Sequence, residues 1–187
     1  DVSVEVDNDN QREEGFKKKA AELITIKDIP ALSRLSLSHS GQVAGMTNTK
    51  YCRTVVNALK NLKGRQLKDV PAENILITCA KDGWYKGGDE KVAGPFASGS
   101  KLFQGANWVA KITRGTNDYA HCSHLIYLYD QYMNPYVARW LEDNSRAFDD
   151  AYALTELIQW VWRSRVRKGQ PITLYLPSPR MRQLMEE

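Results

Sequence analysis

Unbroken apolar runs, four to seven residues long and walled in by polar or turn-forming residues, constrain this chain most. Residues 74–80 read NILITCA, residues 124–129 HLIYLY and residues 172–176 ITLYL, the last closed off by Pro177. A strand that shows one face to water alternates apolar with polar residues, whereas these runs do not alternate, as expected of strands covered on both faces. Residues 107–113 (NWVAKIT) and 42–46 (QVAGM) read as two further strands. Helical stretches separate the five. The expectation is an α/β fold, with a mainly parallel sheet of five or six strands and helices on both faces.

The longest helical pattern precedes the last strand. At 100° per residue, Leu154, Leu157, Ile158 and Val161 fall on one side, and Gln159, Arg163 and Arg167 follow one another at i, i+4 and i+8 on the other. A polar ladder of this kind is in most helices simply the solvated face. Two guanidiniums four residues apart also repel mildly unless an anion lies between them, and a planar guanidinium fits phosphate oxygens closely. Gly169 stops the helix.

Residues 42–62 read as strand, polar turn and helix, with Thr47 or Thr49 as the cap and Val55, Val56, Leu59 and Leu62 buried. Such a turn either only caps the helix or holds a phosphate on its free N–H groups. A glycine-rich loop follows between residues 81 and 105, where Trp84 and Tyr85 could stack on bases. It lacks the GxxxxGK[ST] phosphate loop, and no acidic pair follows an apolar strand. The polar cluster Arg114, Gly115, Thr116, Asn117, Asp118 and Tyr119 comes at the carboxyl end of the strand read at residues 107–113, where ligands gather in open parallel sheets, although Asn-Asp is also a common turn pair. His121 and His124 lack a third ligand, so no metal site is expected.

Composition sets the limits. A chain of 187 residues, 42% hydrophobic and 26% charged, fills one core. Its net charge of +4 permits nucleic-acid binding without requiring it. The three cysteines (Cys52, Cys79 and Cys122) suggest neither a disulfide framework nor zinc, and point to a reducing cytoplasmic setting. No apolar run is long enough to span a membrane. Residues 1–30 read as a flexible or linking segment, with residues 16–26 weakly helical, and residues 31–187 as the domain. The acidic start without methionine and the helical pattern at the end suggest an excised domain.

The stretch Gln159-Trp-Val-Trp-Arg163-Ser-Arg165-Val-Arg167 resembles motif VI of superfamily 2 helicases, a Gln or His followed by arginines at +4 and +7. Here the second arginine stands at +6 or +8, and helical phase favours Arg167. Arg114-Gly115 with Asp118 looks like motif V with one extra residue, and the Thr47 turn like motif IV. With residues 117–135 and 152–178, the chain from about 40 to 185 is similar to phage and mobile-element proteins of the DEAD/DEAH-like helicase class. The resemblance implies the second, C-terminal RecA-like domain of an ATP-dependent helicase or translocase. Arg163, Arg167 and Gln159 would act in catalysis, and Gly115 and Asp118 at the nucleotide. Thr47, Asn48, Lys50, Thr113 and Arg114 would hold DNA or RNA. ATP and Mg2+ would be held mainly by an N-terminal RecA-like domain, so this chain alone would not hydrolyse ATP. The competing expectations are a non-catalytic nucleic-acid-binding α/β module and a protein-interaction domain.

Overall fold

The computed structural model describes residues 18–97, 103–112, 117–140 and 145–186. Its five strands are β1 (Ile24–Lys27), β2 (Ile75–Thr78), β3 (Asn107–Trp108), β4 (His124–Tyr127) and β5 (Ile172–Tyr175). They form one sheet in the order β1-β5-β4-β2-β3, with every pairing parallel. The main helices are α1 (His39–Gly45), α2 (Thr49–Arg65), α3 (Pro135–Trp140), α4 (Arg146–Val161) and α5 (Pro179–Glu186).

The unbroken runs do what their composition demands. All four residues of β2 are buried. On one face Ile75, Ile77, Ile126 and Leu128 pack with Val55, Ala58, Leu59 and Leu62 of α2. On the other, Leu76, Leu125, Tyr127 and Leu174 pack with Ala153, Leu157, Trp160 and Val161 of α4 and Met181 of α5. The α/β architecture with a parallel five-stranded sheet and helices on both faces is therefore as expected.

Four local expectations are corrected. Residues 42–46 are helix, not strand. Ser38 caps α1 by accepting the Gly41 N–H at 3.1 Å, and Gln42 and Gly45 turn inward. The missing strand is β1, inside the segment read as a linker. Its ITIK alternates between partly covered and exposed residues, the period of an edge strand, and it pairs with β5 from Ile24↔Ile172 to Lys27↔Tyr175. The cap of α2 is neither Thr47 nor Thr49 but Asn48, whose Oδ1 accepts the Tyr51 N–H at 3.0 Å. The Thr47 hydroxyl instead donates to the Ala44 carbonyl at 2.9 Å.

The fourth correction concerns the arginines. Helix α4 ends at Val161, so the Gln159–Arg163–Arg167 ladder does not form. The Ser164 hydroxyl donates to the Val161 carbonyl at 2.7 Å, its backbone is extended, and the Arg165 N–H bonds the Cys122 carbonyl at 3.2 Å. That draws the chain out of the helix toward the start of β4. A 3-10 turn, Arg165–Lys168, follows and closes on Gly169 in the left-handed region.

Candidate functional site

From β2 the chain steps outward to β3, and from β4 it steps the opposite way to β5, so the strand order reverses between β2 and β4. The crevice beyond the carboxyl ends of those two strands is where an open parallel sheet takes its ligands. Here a side chain of α1 fills it. Gln42, 1% exposed, donates through Nε2 to the Leu37 and Leu128 carbonyls at 3.0 and 2.6 Å and accepts the Ala80 N–H through Oε1 at 2.8 Å. Both functions of the amide are used, and they tie α1 to the exits of both central strands. Nothing in the sequence marked Gln42. On the α4 face, the in-register hydroxyls of Thr78 and Tyr127 are buried with no hydrogen-bond partner among the described residues.

Beside this crevice, Arg180 gathers three carboxylates. It contacts Asp130 and Asp149 at 3.0 Å and Asp150 at 2.7 Å, donates to the Gln131 carbonyl at 2.6 Å, and lies 4.3 Å from the centroid of the Tyr132 ring. Tyr132 in turn donates to Asp130 at 3.0 Å. With a guanidinium taking up these oxygens, the three aspartates do not present the free carboxylate set that Mg2+ needs. Among the described residues no group of three or more His, Cys, Asp or Glu could hold a metal ion. On the far side of the crevice, the Lys111 ammonium stands 4.6 Å from the centroid of the Tyr129 ring. Burial lowers its pKa, and Glu156 opposes that shift.

The arginines of the helicase resemblance lie elsewhere. Arg163, expected on a solvated face, is 9% exposed and donates through Nη1 to the Ala110 carbonyl at 3.4 Å, beside Trp160, whose Nε1 donates to the Val109 carbonyl at 3.4 Å. Burial lowers the pKa of Arg163, opposed by Glu156 and Tyr119. Gln159 is exposed on α4. Arg165 donates to the Pro171 carbonyl at 2.6 Å, and exposed Arg167 donates to Asn117 Oδ1. The turn carrying Arg165 and Arg167 enters the amino end of β5, and Asn117 and Asp118 precede the amino end of β4. These residues therefore stand at the edge of the sheet opposite to the crevice. Thr47, Asn48 and Lys50 are exposed around the amino terminus of α2, and α1 ties that junction to the carboxyl edge. Thr113, Arg114 and Gly115 lie outside the described residues.

The aromatics expected to stack on bases are also engaged. Trp84 is buried edge-on against Phe103, with ring centroids 6.0 Å apart, and Tyr85 meets Trp108 at 5.6 Å. Gly83 and Gly94 explain why this loop is packed rather than loose. A Cβ on Gly83 would stand 2.3 Å from the Phe96 ring, and one on Gly94 would stand 2.5 Å from the Gly83 carbonyl oxygen. The two most exposed aromatics among the described residues are on α3, past the carboxyl end of β4. Tyr136 is 79% and Trp140 81% exposed, one helical turn apart, with exposed Arg139 between them. No residue of α3 is buried.

The chain is 40% identical over 73 residues to the "SPbeta prophage-derived uncharacterized protein YonV" of Bacillus subtilis (strain 168). That stretch covers 38% of this chain and 18% of the relative, so the chain spans a small part of that protein's length. No solved structure matches the chain. Among the described residues no helix is long and apolar enough to cross a membrane. The model of one family matches residues 18–187, all five strands included, and the chain belongs to that family, the YonV C-terminal Rossmann-like domain.

Proposed function

We propose that this domain is a non-catalytic nucleic-acid-binding module that takes unstacked bases on Tyr136 and Trp140. The observation that carries the reading is the pair of exposed rings on α3. A soluble domain gains nothing for its own fold from two large aromatic side chains held in water on a helix without a buried residue, and an aromatic face serves any base of a single strand. Side chains at i and i+4 stand about 5–6 Å apart at Cβ, and Arg139 beside them adds a cation for the strand's phosphates. Tryptophan fluorescence titrated with a single-stranded oligonucleotide tests it. Binding should quench the signal and weaken about tenfold in Trp140→Ala, as expected for about 1–3 kcal/mol per stacked base, while a duplex of the same sequence binds more weakly. Equal binding by wild type and a Tyr136→Ala/Trp140→Ala variant would refute the reading.

The second reading is the one carried by the helicase resemblance, a C-terminal RecA-like domain working with an N-terminal RecA-like domain, ATP and Mg2+. In its favour is the way Arg163 and Arg167 secure the two flanks of the segment that bears Arg114 and Gly115. It requires Arg167 to reach a γ-phosphate from the amino edge of the sheet, which a partner domain would have to approach. ATP turnover by a longer protein containing this domain, lost in Arg167→Ala, would favour it over the first.

A further inference from the structure

A parallel sheet is normally covered on both faces, and here the described residues leave part of one face uncovered. Thr25 of β1, Thr173 of β5, His124 of β4 and Ile75 of β2 form one in-register row on the face that carries α2. Ile75 lies buried in the α2 core, His124 and Thr173 are half-buried, and Thr25 is exposed, so the helical cover runs out from β2 toward β1. In the next row Ile126 and Tyr175 are buried and Lys27 is exposed.

What this open ground presents is basic and hydroxylic. Ser123 Oγ and His124 Nδ1 are 2.8 Å apart, which fixes the imidazole, and its Nε2 has no hydrogen-bond partner among the described residues. Arg165 is held alongside by its bond to the Pro171 carbonyl and by its own N–H on Cys122. Lys27 makes no ion pair among the described residues. Burial lowers the pKa of His124, and Arg165 and Lys27 add to the shift. Among the described residues no carboxylate adds to or opposes this shift. Two cations and an imidazole sharing a surface without a counter-charge among the described residues repel one another until an anion joins them.

We propose that Lys27, His124 and Arg165, with the hydroxyls of Thr25 and Thr173, form a binding site for a phosphate group. The ammonium and the guanidinium supply charge, the imidazole Nε2 and the two hydroxyls supply directed hydrogen bonds, and the neighbouring strands of the row that carries His124, Thr173 and Thr25 stand about 4.8 Å apart. The site lies on the α2 face of the sheet, separate from Tyr136 and Trp140, which stand past the carboxyl end of β4.

The test follows the ring carbon-bound protons of His124 by NMR in the full 187-residue chain, at low salt, titrated with inorganic phosphate, a 5′-mononucleotide and a single-stranded oligonucleotide. Saturable movement of the His124 signals, with the imidazole pKa rising as the anion binds, is the expected result. Lys27→Gln, an exposed change that leaves the core intact, should weaken it about tenfold. A response to phosphate and mononucleotide assigns the site to a free phosphate or nucleotide, and a response to the oligonucleotide alone assigns it to a strand's backbone. A response to inorganic phosphate, which has no base to stack, should be the same in Trp140→Ala. The proposal is overturned if His124 does not respond to any of the three, or if the response survives unweakened in both Lys27→Gln and Arg165→Gln.

Discussion

The Arg163 guanidinium donates to the carbonyl oxygen of Ala110, across the boundary between α4 and the segment that leaves β3. From the other side Arg167 donates to Asn117. Two arginines that read as one ladder thus fasten the two flanks of a single connection. Arg163→Ala removes a nearly buried cation and its hydrogen bond, so it should destabilise the domain by about 1–3 kcal/mol, whereas a solvated arginine would cost under about 0.5 kcal/mol. Urea denaturation of the variant against wild type separates these outcomes.

Gln42 offers a sharper stability test because three backbone groups depend on one amide. Gln42→Leu keeps the volume but leaves the Ala80 N–H and the Leu128 carbonyl buried without a partner, and should cost roughly 2–4 kcal/mol. Gln42→Glu keeps an acceptor for Ala80 yet sets a carboxylate against the Leu37 and Leu128 carbonyls, and should cost at least as much. A shift of the urea midpoint smaller than that of an ordinary surface substitution would show that the crevice can rearrange.

Removing Arg180 leaves Asp130, Asp149 and Asp150 close together with only the exposed Arg146, 3.6 Å from Asp150, to offset their charge. Since these side chains are only partly buried, Arg180→Ala should cost about 2–3 kcal/mol, less than for a fully buried pair. Added salt should recover part of the loss by screening the repulsion. Thermal melts at low and high ionic strength would show a salt-dependent gain in the variant that wild type lacks.

His124 gives the pH dependence. Its pKa is lowered in the folded chain, so the unfolded chain binds the proton first as pH falls. The contribution to stability is whole above the unfolded value of about 6.5 and is lost as pH falls from there through the folded value. Stability measured from pH 7 downward should decline in wild type, and His124→Gln should flatten part of that slope. An identical profile in the variant would mean that other groups carry the dependence.

Reading strands from unbroken apolar runs worked for β2, β4 and β5 because burial on both faces leaves a mark that needs no knowledge of neighbours. QVAGM misled because five residues are too few to reveal a period, and the deciding group was the Ser38 cap just upstream. ITIK was hidden by the lysines and alanines before it, which favour a helix. The end of α4 could not be read from composition, since Ser164 and the Cys122 carbonyl, far apart in sequence, settle it together. Nor could the exposure of Trp140, the burial of Arg163 or the partners of Gln42 be read locally. Each depends on which element lies opposite.

The place of β5 between β1 and β4 in the strand order has a consequence for how the domain comes into being. β1 is made early, yet its partner in the sheet is β5, almost 150 residues later. On a ribosome β1 must wait unpaired, and β4 keeps one open flank, until the last strand is made and slides between them. The central pair β2–β4 can assemble first, but the sheet closes as a single late event that brings β5 between β1 and β4. Folding should therefore be slow for a domain of this size, with nascent chains that stop short of residue 172 open to sticky edge-to-edge association.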